Sequence, residues 1–256
     1  MLIDSHAHLE MPEFEGDLEE VIQRAKASGV EYIFTVGTEK KDWGRAIEIA
    51  HSHPPIYAIL GVHPHNAKEI DDQTYPTLRK LCREEKVKAY GEIGLDFYRD
   101  HSPRDVQLKR FREQIWLAKE LGLPIVVHDR EAHRETVEVL NSEKAEECGG
   151  IIHCFSGDER MAKECIDMGF YISVPGSITF KNAAGFQEVV KRLPLQSLLL
   201  ETDAPFLAPV PFRGKRNEPG YVRYTAQKVA EIKKVSVKEV AEVTAENALR
   251  VFRLNL

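Results

Sequence analysis

Short apolar runs rich in β-branched residues alternate with longer segments whose apolar residues recur three and four positions apart, and this alternation continues along the whole chain. The runs predict eight strands: Leu2 to His8, Tyr32 to Gly37, Ile56 to Val62, Ala89 to Leu95, Ile125 to His128, Ile151 to Phe155, Tyr171 to Val174 and Leu198 to Asp203. The longer segments predict helices such as Asp17 to Ala27, Trp43 to His53, Gln107 to Leu121, His133 to Asn141, Arg160 to Met168 and Ala184 to Arg192. Strict alternation demands parallel strands with right-handed crossovers, and eight such units close naturally into a (β/α)8 TIM barrel. An open, doubly wound sheet is the rival arrangement for the same pattern. The stretch from Tyr221 to Phe252 reads as one or two closing helices. No linker, low-complexity tract or repeat interrupts the pattern, so residues 1–256 are expected to form a single barrel domain.

Composition narrows the class. Hydrophobic residues at 43% and charged residues at 30% fit a globular fold and exclude a disordered or fibrous one. No stretch approaches the roughly 18 apolar residues that span a bilayer, and a strand pattern starting at Leu2 leaves no room for a signal peptide, so a cytoplasmic protein without a membrane partner is expected. Cys82, Cys148, Cys154 and Cys165 show no CxxC spacing and read as reduced thiols. A net charge of −6 excludes a broad basic surface for coating nucleic acid and leaves room for a local basic site.

Histidine placement changes the picture most. Six of the ten histidines, His6, His8, His63, His65, His128 and His153, fall at or just past the C-terminal ends of predicted strands, which share one face of a barrel. Glu92, Glu201 and Asp203 join them there. Alternation sends His6 and His8 to one face about 6 to 7 Å apart, close enough to share a metal. Glu92 lies between Gly91 and Gly94, where an inward carboxylate is costly unless a cation offsets it. His128 and His153 each end a buried parallel strand in a good imidazole ligand. Asp203 is the better placed of the two late carboxylates for a ligand or base. Glu201 lies one layer deeper, as a partner supporting a ligand or as a pair for Asp4. Four histidines, one Glu and one Asp exceed the needs of one tetrahedral ion, whereas two ions about 3.5 to 4 Å apart would use them all. The nitrogen-rich set suits Zn2+, Mn2+ or Fe2+ better than Mg2+, although a loosely held catalytic Mg2+ is compatible.

The segments Ile3-Asp4-Ser5-His6-Ala7-His8, Gly61-Val62-His63-Pro64-His65, Gly91-Glu92-Ile93-Gly94-Leu95-Asp96, His153-Cys154-Phe155-Ser156-Gly157 and Glu201-Thr202-Asp203-Ala204-Pro205 together resemble the TatD-like deoxyribonucleases of the metal-dependent amidohydrolase superfamily. The resemblance runs from the first strand to the Arg213–Pro219 loop, and no ligand position is broken. It implies a TIM barrel that hydrolyses DNA phosphodiester bonds with divalent metals. It further implies that His6, His8 and Asp203 hold one ion, that His128 and His153 hold the other, and that Glu92 bridges them in place of the modified lysine of many superfamily relatives. Relatives assigned to removing D-amino acids from mischarged tRNA keep an ester substrate in view.

The expected chemistry is attack on phosphorus by a metal-activated hydroxide, with Glu92 and Asp203 as catalytic carboxylates and Asp203 orienting the nucleophile or taking its proton. DNA is the expected substrate partner, at ends or single-stranded regions. Arg99, Arg104, Arg130, Arg213, Lys215 and Arg216 are available near the site, with Arg213, Lys215 and Arg216 the strongest phosphate candidates. His63 and His65 are expected either to touch substrate or to serve the structure. A metal-dependent hydrolase of a small amide, lactone or ester, and a barrel that binds without turnover, are the competing readings.

Overall fold

The computed structural model describes residues 1–254. Strands β1 (Leu2–Ala7), β2 (Val30–Gly37), β3 (Ile56–Leu60), β4 (Val87–Asp96), β5 (Ile125–Arg130), β6 (Gly150–Ile152), β7 (Phe170–Val174) and β8 (Leu198–Leu200) form one parallel sheet in sequence order. Helices α1 (Leu18–Ala27), α2 (Trp43–Ser52), α3 (Thr74–Leu81), α4 (Arg104–Leu121), α5 (His133–Ser142), α6 (Glu159–Asp167) and α7 (Ala184–Arg192) connect successive strands, and α8 (Val222–Lys233) and α9 (Val237–Val251) follow β8. The sheet closes through a parallel bridge between Ala7 and Ala204, so the fold is a TIM barrel and not an open sheet.

Several predicted strands run beyond the paired residues. His8, Val62, His153 and the Glu201 to Asp203 stretch all lie just past the regular ladder. These positions carry the polar side chains of the mouth, where the chain leaves the sheet to bring donors together. Helix α3 was not among the predicted helices; it is short and has Pro76 in its first turn, where the missing N–H costs little.

Two buried clusters divide the interior. The larger one joins the helices to the outside of the sheet. The smaller draws Ile3, Phe34, Val36, Ile59, Ala89, Val126, Ile151 and Leu199 from the strands and joins them to Ala245, Ala248, Val251 and Phe252 at the end of α9 and just beyond it. Phe252 stacks on Phe34 with ring centroids 3.6 Å apart. This apolar layer leaves the polar residues to the strands' C-terminal ends.

Side-chain alternation then sets the polar layer above the apolar one. Val126 is followed two residues later by His128, Ile151 by His153, and Leu199 by Glu201 and then Asp203. On β1 and β4 the step is three: Ile3 to His6 and Ala89 to Glu92. Both strands carry one extra residue at that place, between Asp4 and Ala7 and between Gly91 and Ile93. Such a bulge re-aims the side chain that follows it. Gly91 and Gly94 permit this crowding. A Cβ on Gly91 would stand 2.7 Å from Val126 Cβ, and Gly94, at φ 143°, would put one 2.0 Å from the His128 carbonyl oxygen.

Candidate metal centre

Glu92 lies at the middle of the barrel mouth, 3% exposed, and its two oxygens face different histidines. Oε2 is 3.5 Å from His6 Nε2 and 4.0 Å from His8 Nε2. Oε1 is 2.7 Å from His128 Nδ1, 3.5 Å from His63 Nε2 and 3.6 Å from His153 Nε2. Asp203 Oδ1 lies 3.4 Å from His8 Nε2, 3.8 Å from His153 Nε2 and 3.9 Å from His6 Nε2. Backbone bonds across the barrel seam hold the Asp203 side of this arrangement: Asp203 N–H donates to the His6 carbonyl at 2.9 Å, and His8 N–H to the Ala204 carbonyl at 2.7 Å. The four histidines expected as ligands are therefore gathered around Glu92, and Asp203 meets three of them.

The far nitrogens of these imidazoles decide which atoms face inward. His153 Nδ1 is 2.9 Å from Glu201 Oε2, and His8 Nδ1 is 3.1 Å from Glu10 Oε1. His128 Nε2 is 3.2 Å from Asp96 Oδ2. A ring that donates one N–H to a carboxylate turns the lone pair of its other nitrogen to the centre, the arrangement that orients metal-binding histidines. His63 is arranged the other way. Its Nδ1 accepts the His65 N–H at 3.1 Å, so the neutral ring carries its proton on Nε2. It faces Glu92 as a hydrogen-bond donor. Among the described residues His6 Nδ1 is buried without a partner, leaving Nε2 as its polar contact.

Electrostatics supports a cation here. Burial would raise the Glu92 carboxyl, but His153, His63, His128 and His6 hold it well below the usual range. Asp203 is lowered in the same way, burial being outweighed by His8, His153 and His6. Burial opposes a charge on His128 and His153, yet Asp96 and Glu92 raise the first to about 9, and Glu201 and Glu92 raise the second to about 9. Buried carboxylates thus draw positive charge to the centre. Burial lowers His63 to about 4 and keeps it neutral. His6 and His8 Nε2 stand 3.3 Å apart, and without a metal they face each other across one N–H···N bond. A divalent ion accepts a lone pair from each. The atoms of His6, His8 and Asp203 lie within 4.8 Å of one another, so the residues present fit a metal centre.

The predicted phosphate contacts are less uniform. His65 Nε2 is 2.8 Å from Asp96 Oδ2, behind His128 and away from Glu92. Arg216 departs from the expectation: it makes a two-armed pair with Asp17 at 2.7 Å, also reaches Glu218 at 3.0 Å, and shares both carboxylates with Arg24. Its guanidinium is committed to joining the loop after β8 to α1. Arg104 is likewise engaged by Asp100. Arg213 lies over the Phe180 ring at 4.5 Å, and among the described residues neither it nor Lys215 has an acidic partner within 4.0 Å.

Several supporting residues were not singled out from the sequence. Glu10 continues the alternation of His6 and His8, and Asp96 lies four residues after Glu92, so period 2 signalled both. Gln114 grips Val62 through both its N–H and its carbonyl, next to His63, and Gln107 does the same to Asp96. Nothing in the sequence distinguished these glutamines from surface residues of α4. Glu201 has the supporting role: besides His153 it accepts from Ser173 Oγ and the Cys154 N–H. Asp4 pairs instead with Thr202. The four cysteines are all free, and no helix among the described residues is long and apolar enough to cross a membrane.

A family model described as "TatD related DNase" matches residues 3–253. A Bacillus subtilis protein named "Uncharacterized metal-dependent hydrolase YabD" is 49% identical over 255 residues, covering 100% of both chains. An Erwinia tasmaniensis protein named "3'-5' ssDNA/RNA exonuclease TatD" is 35% identical over 259 residues, 99% of this chain and 100% of that one. The crystal structure of YJJV, a TatD homologue from Escherichia coli K12, superposes with a TM-score of 0.94 at 34% identity, covering 99% of this chain and 98% of that one.

Proposed function

The chain belongs to the TatD related DNase family, and from that premise we propose that this metal-dependent hydrolase is an exonuclease that removes nucleotides from the 3′ ends of single-stranded DNA. The observation that carries the reading is the division of Glu92, whose two oxygens face separate sets of imidazoles. That division supports two divalent ions, one among His6, His8 and Asp203 and one among His128 and His153, with Glu92 between them. The name of the Erwinia relative supports single strands and the 3′ to 5′ direction.

Divalent ions bound there would supply Lewis-acid charge for a phosphoryl group and lower the pKa of water. The protein's own residues do the rest. Asp203 is the carboxylate best placed to meet that water: its side chain is 14% exposed, against 4% for Glu92 and 0% for Glu201. Held as an anion by His8 and His153, it can orient the nucleophile and take its proton. His63 offers Nε2–H, a donor suited to a phosphate oxygen. Arg213 and Lys215 supply positive charge in the loop after β8, a common place for phosphate binding in these barrels.

The test is hydrolysis of a substrate panel with and without chelator: single-stranded DNA, closed circular duplex, a D-aminoacyl-tRNA and an aryl ester. Release of mononucleotides from single-stranded ends, abolished by chelation, supports the reading. Turnover confined to the tRNA ester or the aryl ester would replace it with an esterase, and efficient cleavage of the closed circle would refute end dependence.

A further inference from the structure

The large apolar side chains left exposed include two aromatic rings in loops that follow strands: Tyr98 after β4, 58% exposed, and Phe206 after β8, 46% exposed. In a ring of eight strands, β4 and β8 stand opposite each other, so the two rings flank the mouth that holds Glu92 and Asp203. They are not equivalent. The guanidinium of Arg130 lies over Tyr98 at 4.1 Å. Among the described residues, the one aromatic or cationic neighbour of the Phe206 ring is His8, edge-on, with centroids 6.1 Å apart and planes at 70°.

The exposure of Phe206 is built into the loop. Its N–H donates to the Asp203 carbonyl at 2.8 Å, and its own carbonyl accepts from Asn217 Nδ2 at 2.6 Å. Asn217 is fully buried, and the same amide donates to the Thr202 carbonyl at 2.8 Å. One buried side chain thus grips both ends of the turn that carries Asp203, and the ring three residues later is fixed relative to the centre. Removing a Phe side chain from water is favourable, and nothing in the loop uses that gain.

We infer that Phe206 is the stacking platform for the terminal base of the strand being degraded. This rests on the nuclease reading above and deepens it. A phosphate held beside His8 and Asp203 leaves its own nucleotide within reach of a ring 6.1 Å from His8. Every base has a π-face, so stacking there is tolerant of sequence. A paired terminal base is held to the opposite strand and must unpair to turn its face to the ring, so the platform favours unpaired ends. The selectivity for single strands then comes from a ring, which a protein of net charge −6 can provide without a broad basic groove.

The experiment compares metal-loaded wild type, Phe206→Ala and Phe206→Trp on two single-stranded DNA oligomers of one sequence, the second carrying an abasic residue at each end. Initial rates of release of the first residue give kcat and KM. On the base-ended strand Phe206→Ala is expected to raise KM about tenfold with kcat changed less than about twofold, and Phe206→Trp to restore KM. On the abasic strand wild type and Phe206→Ala should be alike. An equal loss on both strands, or a loss in kcat at unchanged KM, overturns the platform while leaving the nuclease intact. Failure of loaded wild type to cleave either strand overturns the nuclease reading, and this inference falls with it.

Discussion

Glu201 Oε2 lies 2.9 Å from His153 Nδ1, and this bond fixes the inward face of the histidine. With Nδ1–H donated to a fully buried carboxylate, Nε2 is the nitrogen turned to Glu92 and Asp203. Glu201→Gln keeps the shape and removes the charge. Metal affinity is expected to fall 10- to 100-fold, the usual cost of losing such a supporting carboxylate. Titration of the metal-free protein with Mn2+ or Zn2+ by calorimetry measures it, and an unchanged affinity would show that His153 needs no such support.

His63 gives a sharper distinction, because its Nδ1 accepts the His65 N–H and its Nε2 must carry the proton. His63→Ala is expected to leave the metal content unchanged and to lower kcat/KM on DNA by about 10- to 100-fold. Loss of a metal equivalent in that variant would make His63 a ligand.

Asp203→Asn is expected to lower kcat by about 10²- to 10⁴-fold, the range of general acid–base assistance, with KM changed only a few-fold. Metal content measured on the same sample separates loss of the base from loss of a ligand. A variant impaired in KM alone would place Asp203 in substrate binding.

Arg216 is expected to matter for stability and not for substrate. The Arg216 bond holds the Asp17 carboxyl at about 2, below its ordinary 3.8, with Arg24 assisting. A carboxyl lowered by folding contributes stability that is fully present above about pH 4 and is lost as pH falls through about 2. The pair is partly exposed and screened, so Arg216→Ala should cost about 1 kcal/mol or less at pH 7. Urea unfolding at pH 7 and at pH 2 should give a smaller difference at the lower pH, with KM for DNA unaltered. A raised KM at unchanged stability would return Arg216 to the phosphate contacts.

The barrel and the location of its site were legible because both depend on periodicity. Eight apolar runs set the strands, and polar residues at their ends marked the mouth. His128, His153 and Asp203 follow from simple alternation above Val126, Ile151 and Leu199. His6 and Glu92 reach the same layer through an extra residue in β1 and in β4. The residue types announced their chemistry, while the bulges that aim them depend on pairing with neighbouring strands and leave little trace in one sequence. The ion pairs of Arg216 were hidden for a related reason. A cation beside the site and a cation tied to α1 look alike until Asp17 is brought to it from a distant part of the chain. Gln107 and Gln114 were invisible because a buried glutamine on a helix carries no periodic signature.

The most direct test of the account is metal stoichiometry in wild type and Glu92→Gln, measured by elemental analysis after titration with Zn2+ or Mn2+, with exonuclease rates on the same samples. Glu92 Oε2 faces His6 and His8 while Oε1 faces His128 and His153. Two equivalents are expected per wild-type chain, at most one in Glu92→Gln, and activity lost with the missing ion. A Glu92→Gln protein carrying two ions at full activity would contradict it.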